Sequence, residues 1–186
     1  MLFTPLVGVA AQGDAERLAR AAVAANDNKS GPFAVVDKQL ARVFVFKGDG
    51  TLLGSSPVLL GLARGDASVP GIGERKMSEI RPDERTTPAG RFASEPGRNL
   101  SGEDIVWVDY DAAVSMHRVR PNVKAERRLE RLATPTPDDN RITFGCINVP
   151  TAFYDSFVKP ALGGRPGVVY VLPEKTKPER SLFDFL

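Results

Sequence analysis

The stretch Phe33–Gly61, FAVVDKQLARVFVFKGDGTLLGSSPVLLG, decides the fold class of this chain. Phe33–Val36 and Arg42–Phe46 (RVFVF) are short runs rich in β-branched and aromatic residues, which is the composition of strands. Lys47–Gly50 (KGDG) is typical of a hairpin turn, and Pro57–Gly61 (PVLLG) predicts a further buried strand that ends in glycine. Hairpins at this density predict a mainly β fold.

The rest of the chain continues this alternation of short elements and turns. Further strands are predicted at Gly90–Ser94, Ile105–Tyr110, Ala112–Val119 and Gly167–Leu172. Helices are predicted at Gly13–Ala25, Val123–Ala133 and Thr151–Leu162, with a shorter one near Glu74–Ile80. We therefore expect a mainly β fold of sandwich or mixed-sheet type with a few short helices, plus an N-terminal helix.

The polar run Asn26–Ser30, followed by Gly31-Pro32, predicts a linker. It divides the chain into an N-terminal segment, residues 1–32, and one folded domain, residues 33–186. Leu2–Ala11 resembles the apolar part of a secretory signal but is short and lacks a positive leader, so a trimmed signal and a strand both remain open. No run of eighteen apolar residues occurs, and no transmembrane helix is predicted.

Charge and residue counts exclude several functional classes. The net charge is +2, and no dense Lys/Arg block is interleaved with aromatic residues, so nucleic-acid binding is not expected. A single cysteine excludes an intrachain disulfide and a zinc site built on several cysteines. We predict no metal and no cofactor. With one histidine in the chain, any Cys–His pair must join Cys146 to His117.

Cys146 lies in the segment Asn140–Pro150, NRITFGCINVP. Gly145 allows the backbone to approach a substrate closely, and the N–H groups of Gly145 and Cys146 are candidates to bind an oxyanion. Taken alone, however, a Gly-Cys pair is more often a small buried thiol, and a lone histidine such as His117 is more often a satisfied core residue. The residues by themselves leave both interpretations open.

Three elements in order resemble the L,D-transpeptidase catalytic domain. The family pattern of an upstream histidine, then Ser or Thr, His, Gly, Cys, a hydrophobic residue and Asn or Arg is matched by His117, Thr143, Gly145, Cys146, Ile147 and Asn148. Thr87–Phe92 (TPAGRF) is similar to the family element T-P-x-G-x-F, and the first hairpin also follows the family order. The resemblance covers about residues 33–172.

Two departures from the family pattern indicate an atypical subgroup. Phe144 stands where the family usually has a second histidine. His117 and Cys146 are also 29 positions apart, further than is usual, and the additional chain contains Val123–Ala133. We expect this segment to form a lid or wall beside the site, although a run of charges is usually a solvated helix face.

The resemblance implies a reaction on peptidoglycan tetrapeptide stems. Cys146 would attack the carbonyl of the third stem residue, a diamino acid, and His117 would act as the general base and later as the acid. The main-chain carbonyl of Arg118 would orient the imidazole, with Ser115 as the alternative.

Other residues near the motif have weaker predicted roles. Thr143 and Asn148 are expected to brace the loop through turn and cap hydrogen bonds. Arg141 is a candidate for a bidentate bond to a substrate carboxylate, although most arginines are solvated surface residues. Phe144 is expected to change the pocket or the substrate.

The implied partners are donor and acceptor stem peptides, with carbapenem β-lactams as covalent inhibitors. The implied location, which follows from the substrate, is the periplasm or cell envelope. A transpeptidase that forms cross-links is the first hypothesis. The same thioester resolved by water or a D-amino acid would give a hydrolase or an exchange enzyme. A catalytically silent peptidoglycan-binding module is the third, with Phe144 as its main argument.

Overall fold

The computed structural model describes residues 7–174, with side chains described from Gly13 onward. Its strands are β1 (Phe33–Asp37), β2 (Arg42–Phe46), β3 (Leu52–Pro57), β4 (Leu60–Gly61), β5 (Gly90–Arg98), β6 (Asp104–Asp109), β7 (Val114–Arg118), β8 (Arg141–Thr143), β9 (Ile147–Val149) and β10 (Gly167–Val171). Its α-helices are α1 (Val7–Ala24), α2 (Arg128–Ala133), α3 (Thr151–Phe153) and α4 (Lys159–Leu162), and a π-helical segment, Tyr154–Val158, joins the last two.

Eight strands form one mixed sheet in the order β3-β2-β1-β10-β5-β6-β7-β9. The pairs β1–β10 and β7–β9 are parallel, and the other neighbours are antiparallel. A second sheet contains only β4 and β8, in parallel. The prediction of a mainly β fold with mixed sheets, a few short helices and an N-terminal helix is confirmed.

Alternating side chains divide β1 and β2 between two buried clusters, because successive residues of a strand face opposite sides of a sheet. Ala34, Val36, Val43 and Val45 join the cluster that also contains residues of β6, β7, β9 and the helical segment 151–162. The opposite faces, with Phe33 and Phe44 among them, pack under α1. Both faces of these strands are buried, which explains why their sequence reads as nearly continuous apolar runs.

Helix α1 packs through Ala15, Leu18, Ala19 and Ala22 against the sheet. These side chains recur at three- and four-residue intervals and are at most 1% exposed. The helix begins before the predicted start, since Val7–Ala11 already belongs to it, so the strand alternative is wrong for these residues; residues 2–6 lie outside the described range. The domain boundary near residue 32 stays a prediction.

Several predicted elements differ in extent. β5 runs on to Arg98, and Pro57–Gly61 is not one strand but the end of β3 and the short β4. The helix predicted near Glu74–Ile80 is a series of 3₁₀ turns. Val123–Ala133 is divided into a 3₁₀ turn and α2, because Arg127 has a left-handed backbone (φ 49°) that ends one and precedes the other. Within the part of the chain described, no helix has the length and apolar character needed to cross a membrane.

Candidate active site

The parallel pair β7–β9 brings the motif residues together. Its register sets Met116 opposite Ile147 and His117 opposite Asn148. Met116 and Ile147 point into the core and are fully buried. Because side chains alternate along a strand, Ser115 and His117 share the other face with Asn148 and with Cys146, which comes immediately before β9.

His117 is held from both ring nitrogens. Nδ1 lies 2.7 Å from the Arg118 carbonyl oxygen, which can only accept, so Nδ1 carries a proton. In the neutral ring Nε2 is then the acceptor, and the Asn148 amide Nδ2 lies 3.3 Å from it. Burial lowers the pKa of His117 below its ordinary value, and the nearby charges of Arg120 and Arg128 act in the same direction. A neutral imidazole with its lone pair on Nε2 is the form that a general base needs.

The Cys146 thiol is partly accessible and lies among polar groups of the β6–β7 turn and β7. Its Sγ is 3.7 Å from Ser115 Oγ and 3.6 Å from the Ala113 carbonyl oxygen, to which the thiol donates. Ser115 therefore contacts the thiol, and the His117 hydrogen bonds go instead to Arg118 and Asn148. Proton transfer from Cys146 to His117 Nε2 would require the thiol to leave the Ala113 carbonyl and the Asn148 amide to release Nε2.

The turn before Cys146 is clamped from two sides. Thr87, in the TPAGRF element, donates its hydroxyl to the Gly145 carbonyl (2.8 Å) and accepts the Gly61 N–H (2.9 Å). Thr143 Oγ1 donates to the Cys146 carbonyl (2.7 Å) and accepts the Gly145 N–H (3.1 Å). Thr143 thus braces the loop as its motif position predicts.

Gly145 is required at this turn for two reasons. Its φ of 134° lies outside the range that side chains tolerate, and a Cβ atom would lie 2.9 Å from the Thr86 carbonyl oxygen. Its N–H is already donated to Thr143, so the prediction that this group faces an oxyanion has to be corrected. In the trans peptide between Gly145 and Cys146, the carbonyl points to Thr87 and the Cys146 N–H therefore points away from Thr87. The Cys146 N–H remains the candidate oxyanion donor.

Phe144, two residues before Cys146, is partly buried, with the Arg85 guanidinium over its ring at 3.9 Å. The Arg85 Nη2 also donates to the Ile80 carbonyl (3.2 Å). Such a stack is the usual geometry of a cation–π contact. The aromatic ring thus holds a cationic group close to the turn where the family usually has a histidine.

Arg141 is not free to bind a substrate, which corrects the role considered for it. Arg141 is 7% exposed. Its guanidinium donates two hydrogen bonds to the Glu174 carboxylate (2.7 and 3.0 Å) and one to the Lys38 carbonyl (2.6 Å). This buried bidentate pair occupies the Nη1 and Nη2 donors that a substrate carboxylate would need. Arg141 joins β8 to the end of the described chain.

Asn148 is nearly fully buried and touches both His117 and the segment between β7 and β8. Its Oδ1 accepts a hydrogen bond from Arg128 Nη1 (2.6 Å), while its backbone exchanges two hydrogen bonds with Leu59. Arg128 begins α2, so the segment expected beside the site reaches it through this side chain.

Sequence reasoning missed the contacts of Thr87, Ala113 and Arg128. Thr87 could have been singled out, because it opens a recognised motif. Ala113 contributes only a backbone carbonyl, at a residue with a left-handed φ of 54° that no side-chain pattern indicates. Arg128 is one arginine of a charged run, and only the three-dimensional contact distinguishes it. Among the residues described, no group of three or more His, Cys, Asp or Glu side chains is placed to hold a metal ion.

The chain is similar to known proteins in its three-dimensional structure only. No protein-family model matches the sequence. No curated protein matches it either. Several solved structures similar to the chain are L,D-transpeptidases. The catalytic domain of the E. faecium L,D-transpeptidase is 17% identical, with a TM-score of 0.43 over 76% of this chain and 97% of that one.

Two further structures extend the comparison. The L,D-transpeptidase from Mycobacterium smegmatis is 16% identical, with a TM-score of 0.41 over 75% of this chain and 58% of that one. The helical cell shape determining protein Pgp2 from Campylobacter jejuni is 13% identical, with a TM-score of 0.49 over 88% of this chain and 57% of that one. This chain therefore spans less than two thirds of the length of both proteins.

Proposed function

We propose that this chain is a cysteine acyltransferase of the L,D-transpeptidase type that acts on peptidoglycan stem peptides. The observation that carries the proposal is the polar face of β7–β9, where a neutral His117 with an acceptor Nε2 lies diagonal to Cys146. A nucleophile, a base and a group that orients the base are the parts that thiol acyl transfer needs. Here the orienting group is the Arg118 carbonyl.

In the proposed reaction, His117 Nε2 takes the Cys146 proton and Sγ forms a bond to the carbonyl carbon of the third stem residue. The tetrahedral oxyanion accepts a hydrogen bond from the Cys146 backbone N–H. The C–N bond to the terminal D-alanine then breaks, and the leaving amine takes the proton from His117. An acceptor amine attacks the thioester, gives its proton to His117, and displaces the Cys146 thiolate to form the cross-link.

The surroundings favour an anionic substrate. The Arg85 guanidinium lies over the Phe144 ring at 3.9 Å, whereas Arg120 and Arg128 near His117 are paired with Glu103 and Glu126. Stem peptides carry carboxylates, which such charges attract. Since peptidoglycan lies outside the cytoplasmic membrane, we place the proposed activity in the periplasm or cell envelope.

A carbapenem tests the nucleophile directly, because its strained carbonyl acylates the thiol without an acceptor. We expect one covalent adduct on the wild-type chain by intact mass and none on Cys146→Ala. Ser101→Ala, at an exposed position, should react like the wild type. Absence of an adduct on the wild type would reject the acyltransferase in favour of a silent binding module.

Purified muropeptides then separate the enzymatic alternatives. Cross-linked dimers identify a transpeptidase, tripeptides with free D-alanine identify a hydrolase, and a tetrapeptide with an exchanged last residue identifies an exchange enzyme. His117→Ala should lower the rate of turnover by about 100-fold or more while the chain stays folded, as expected for loss of a general base. Undiminished turnover in this variant would contradict the role of His117.

A further inference from the structure

Arg128 connects the segment between β7 and β8 to the interior of the site. Its side chain is only 15% exposed and makes two bonds of 2.6 Å, from Nε to the Glu126 carboxylate and from Nη1 to Asn148 Oδ1. Arg131 in turn fastens the segment by donating to the carbonyls of Glu126 and Asp139, both at 2.7 Å. Arg128 is therefore held in place from its own segment.

The contact with Arg128 decides how the Asn148 amide is oriented. A guanidinium has donors only, so the amide atom facing Arg128 must be the oxygen. The amide NH₂ then faces His117 Nε2 and can donate only to an unprotonated nitrogen. If the amide were reversed, its oxygen would favour a proton on Nε2, and the imidazole could not accept the Cys146 proton.

We propose that Arg128 is a positioning residue that acts through the Asn148 amide to keep the His117 proton on Nδ1, which leaves Nε2 as the unprotonated nitrogen. The Arg118 carbonyl favours the same tautomer from the other side of the ring. The Arg128 side chain donates to Glu126 and Asn148 and not to the Cys146 thiol. The inference rests on the proposed function only for its catalytic consequence, since the tautomer itself can be measured without substrate.

The charge of Arg128 also acts on His117. Burial is the main cause of the lowered His117 pKa, Arg120 and Arg128 lower it further, and the Arg118 carbonyl and Glu103 oppose the shift. Loss of Arg128 should therefore raise the His117 pKa toward its ordinary value. Both the amide orientation and the charge favour a neutral base.

The sole histidine makes the test unambiguous, because ¹⁵N-histidine labelling gives the two ring nitrogens of one residue. In the wild type at neutral pH, we expect the shifts of a ring protonated on Nδ1. In Arg128→Ala, we expect the tautomer protonated on Nε2 to become populated and the pH midpoint of the titration to rise. Arg128→Lys keeps a donor and a positive charge, so its tautomer population and its titration midpoint should lie between those of the wild type and Arg128→Ala.

The neighbouring Arg127→Ala is the matched control, since the Arg127 side chain is 70% exposed and lies 4.0 Å from Glu130. Its spectrum should match the wild type. Asn148→Asp provides a second route if Arg128→Ala folds poorly: an acceptor oxygen facing Nε2 should move the proton there and raise the midpoint. A His117 tautomer and midpoint unchanged in folded Arg128→Ala, or unchanged in Asn148→Asp, would overturn the inference.

Acylation by a carbapenem separates this inference from the proposed function. We expect Arg128→Ala to acylate about 10-fold more slowly than the wild type, a part of what a general base contributes. If the wild type forms no adduct while the tautomer still depends on Arg128, the proposed function fails and the positioning role stands. If the adduct forms at the wild-type rate in Arg128→Ala with the tautomer unchanged, the positioning role fails alone.

Discussion

At the residue scale, the left-handed φ of Gly145 shapes the turn that precedes Cys146. We expect Gly145→Ala to lower the free energy of unfolding by about 1–3 kcal/mol, because a Cβ atom is strained at φ 134° and meets the Thr86 carbonyl. The displaced turn should also slow alkylation of Cys146 by iodoacetamide. Urea unfolding and the alkylation rate measure the two effects.

Gly164→Ala is the matched control for this substitution. Gly164 has no heavy atom within 4 Å of an added Cβ and no left-handed φ, so stability and alkylation should stay near the wild type. If Gly145→Ala behaved like Gly164→Ala, the turn would tolerate a side chain, and the proposed need for a glycine before the nucleophile would be wrong.

The protonation of His117 sets the acidic limit that we expect for the proposed reaction. Burial lowers the pKa of His117 in the folded chain, so the neutral base persists below its ordinary titration range. We expect the rate of Cys146 acylation to fall with acidification at a midpoint below pH about 6.5. Rates measured from pH 4.5 to 8 give this midpoint, and a value above 6.5 would contradict the shift.

The same shift makes stability depend on pH. The unfolded chain binds the His117 proton at a higher pH than the folded chain does, so protonation favours unfolding. The contribution of His117 is present above the ordinary pKa and is lost as the pH falls through the lowered one. This pH dependence of the free energy of unfolding should disappear in His117→Ala, which urea unfolding at a series of pH values measures.

At the scale of elements, α1 tests whether the N-terminal segment is part of the folded unit. Leu18 is fully buried against the sheet, so Leu18→Ala should lower the free energy of unfolding by about 2–5 kcal/mol. Leu129→Ala, at a leucine that is 53% exposed, should change it by less than about 0.5 kcal/mol. An equally small effect at Leu18 would support a helix that is separable from the domain.

Some of these elements could be predicted from the sequence and others could not. β1 and β2 were predictable because their composition and length suit buried strands, and the ordered motifs singled out Cys146 and His117, whose catalytic roles stay a prediction. The parallel pairing of β7 with β9 was not, because pairing partners are chosen by long-range packing. The break at Arg127 depends on a left-handed backbone that most side chains disfavour, so the pattern of residues 123–133 indicated one continuous helix.

At the scale of the molecule, a partly buried ionic cluster joins four distant parts of the chain next to the site. Lys38 is fully buried and donates to Asp66 (2.7 Å) and to the Thr87 carbonyl (2.9 Å). Glu174 lies 3.7 Å from Lys38 and receives both bonds from Arg141. Because Thr87 also donates to the Gly145 carbonyl, the cluster supports the clamp on the turn before Cys146.

Removing one member of this cluster should therefore affect both stability and the site. Arg141→Ala leaves the buried Glu174 carboxylate without its main partner, which should lower the free energy of unfolding by about 3–5 kcal/mol. In the fraction of Arg141→Ala that remains folded, Thr87 should be held less firmly by Lys38, which should slow Cys146 acylation. Arg127→Ala, at an exposed arginine, should leave unfolding and acylation unchanged. If Arg141→Ala lost stability but acylated at the wild-type rate, the cluster would stabilise the fold without supporting the turn.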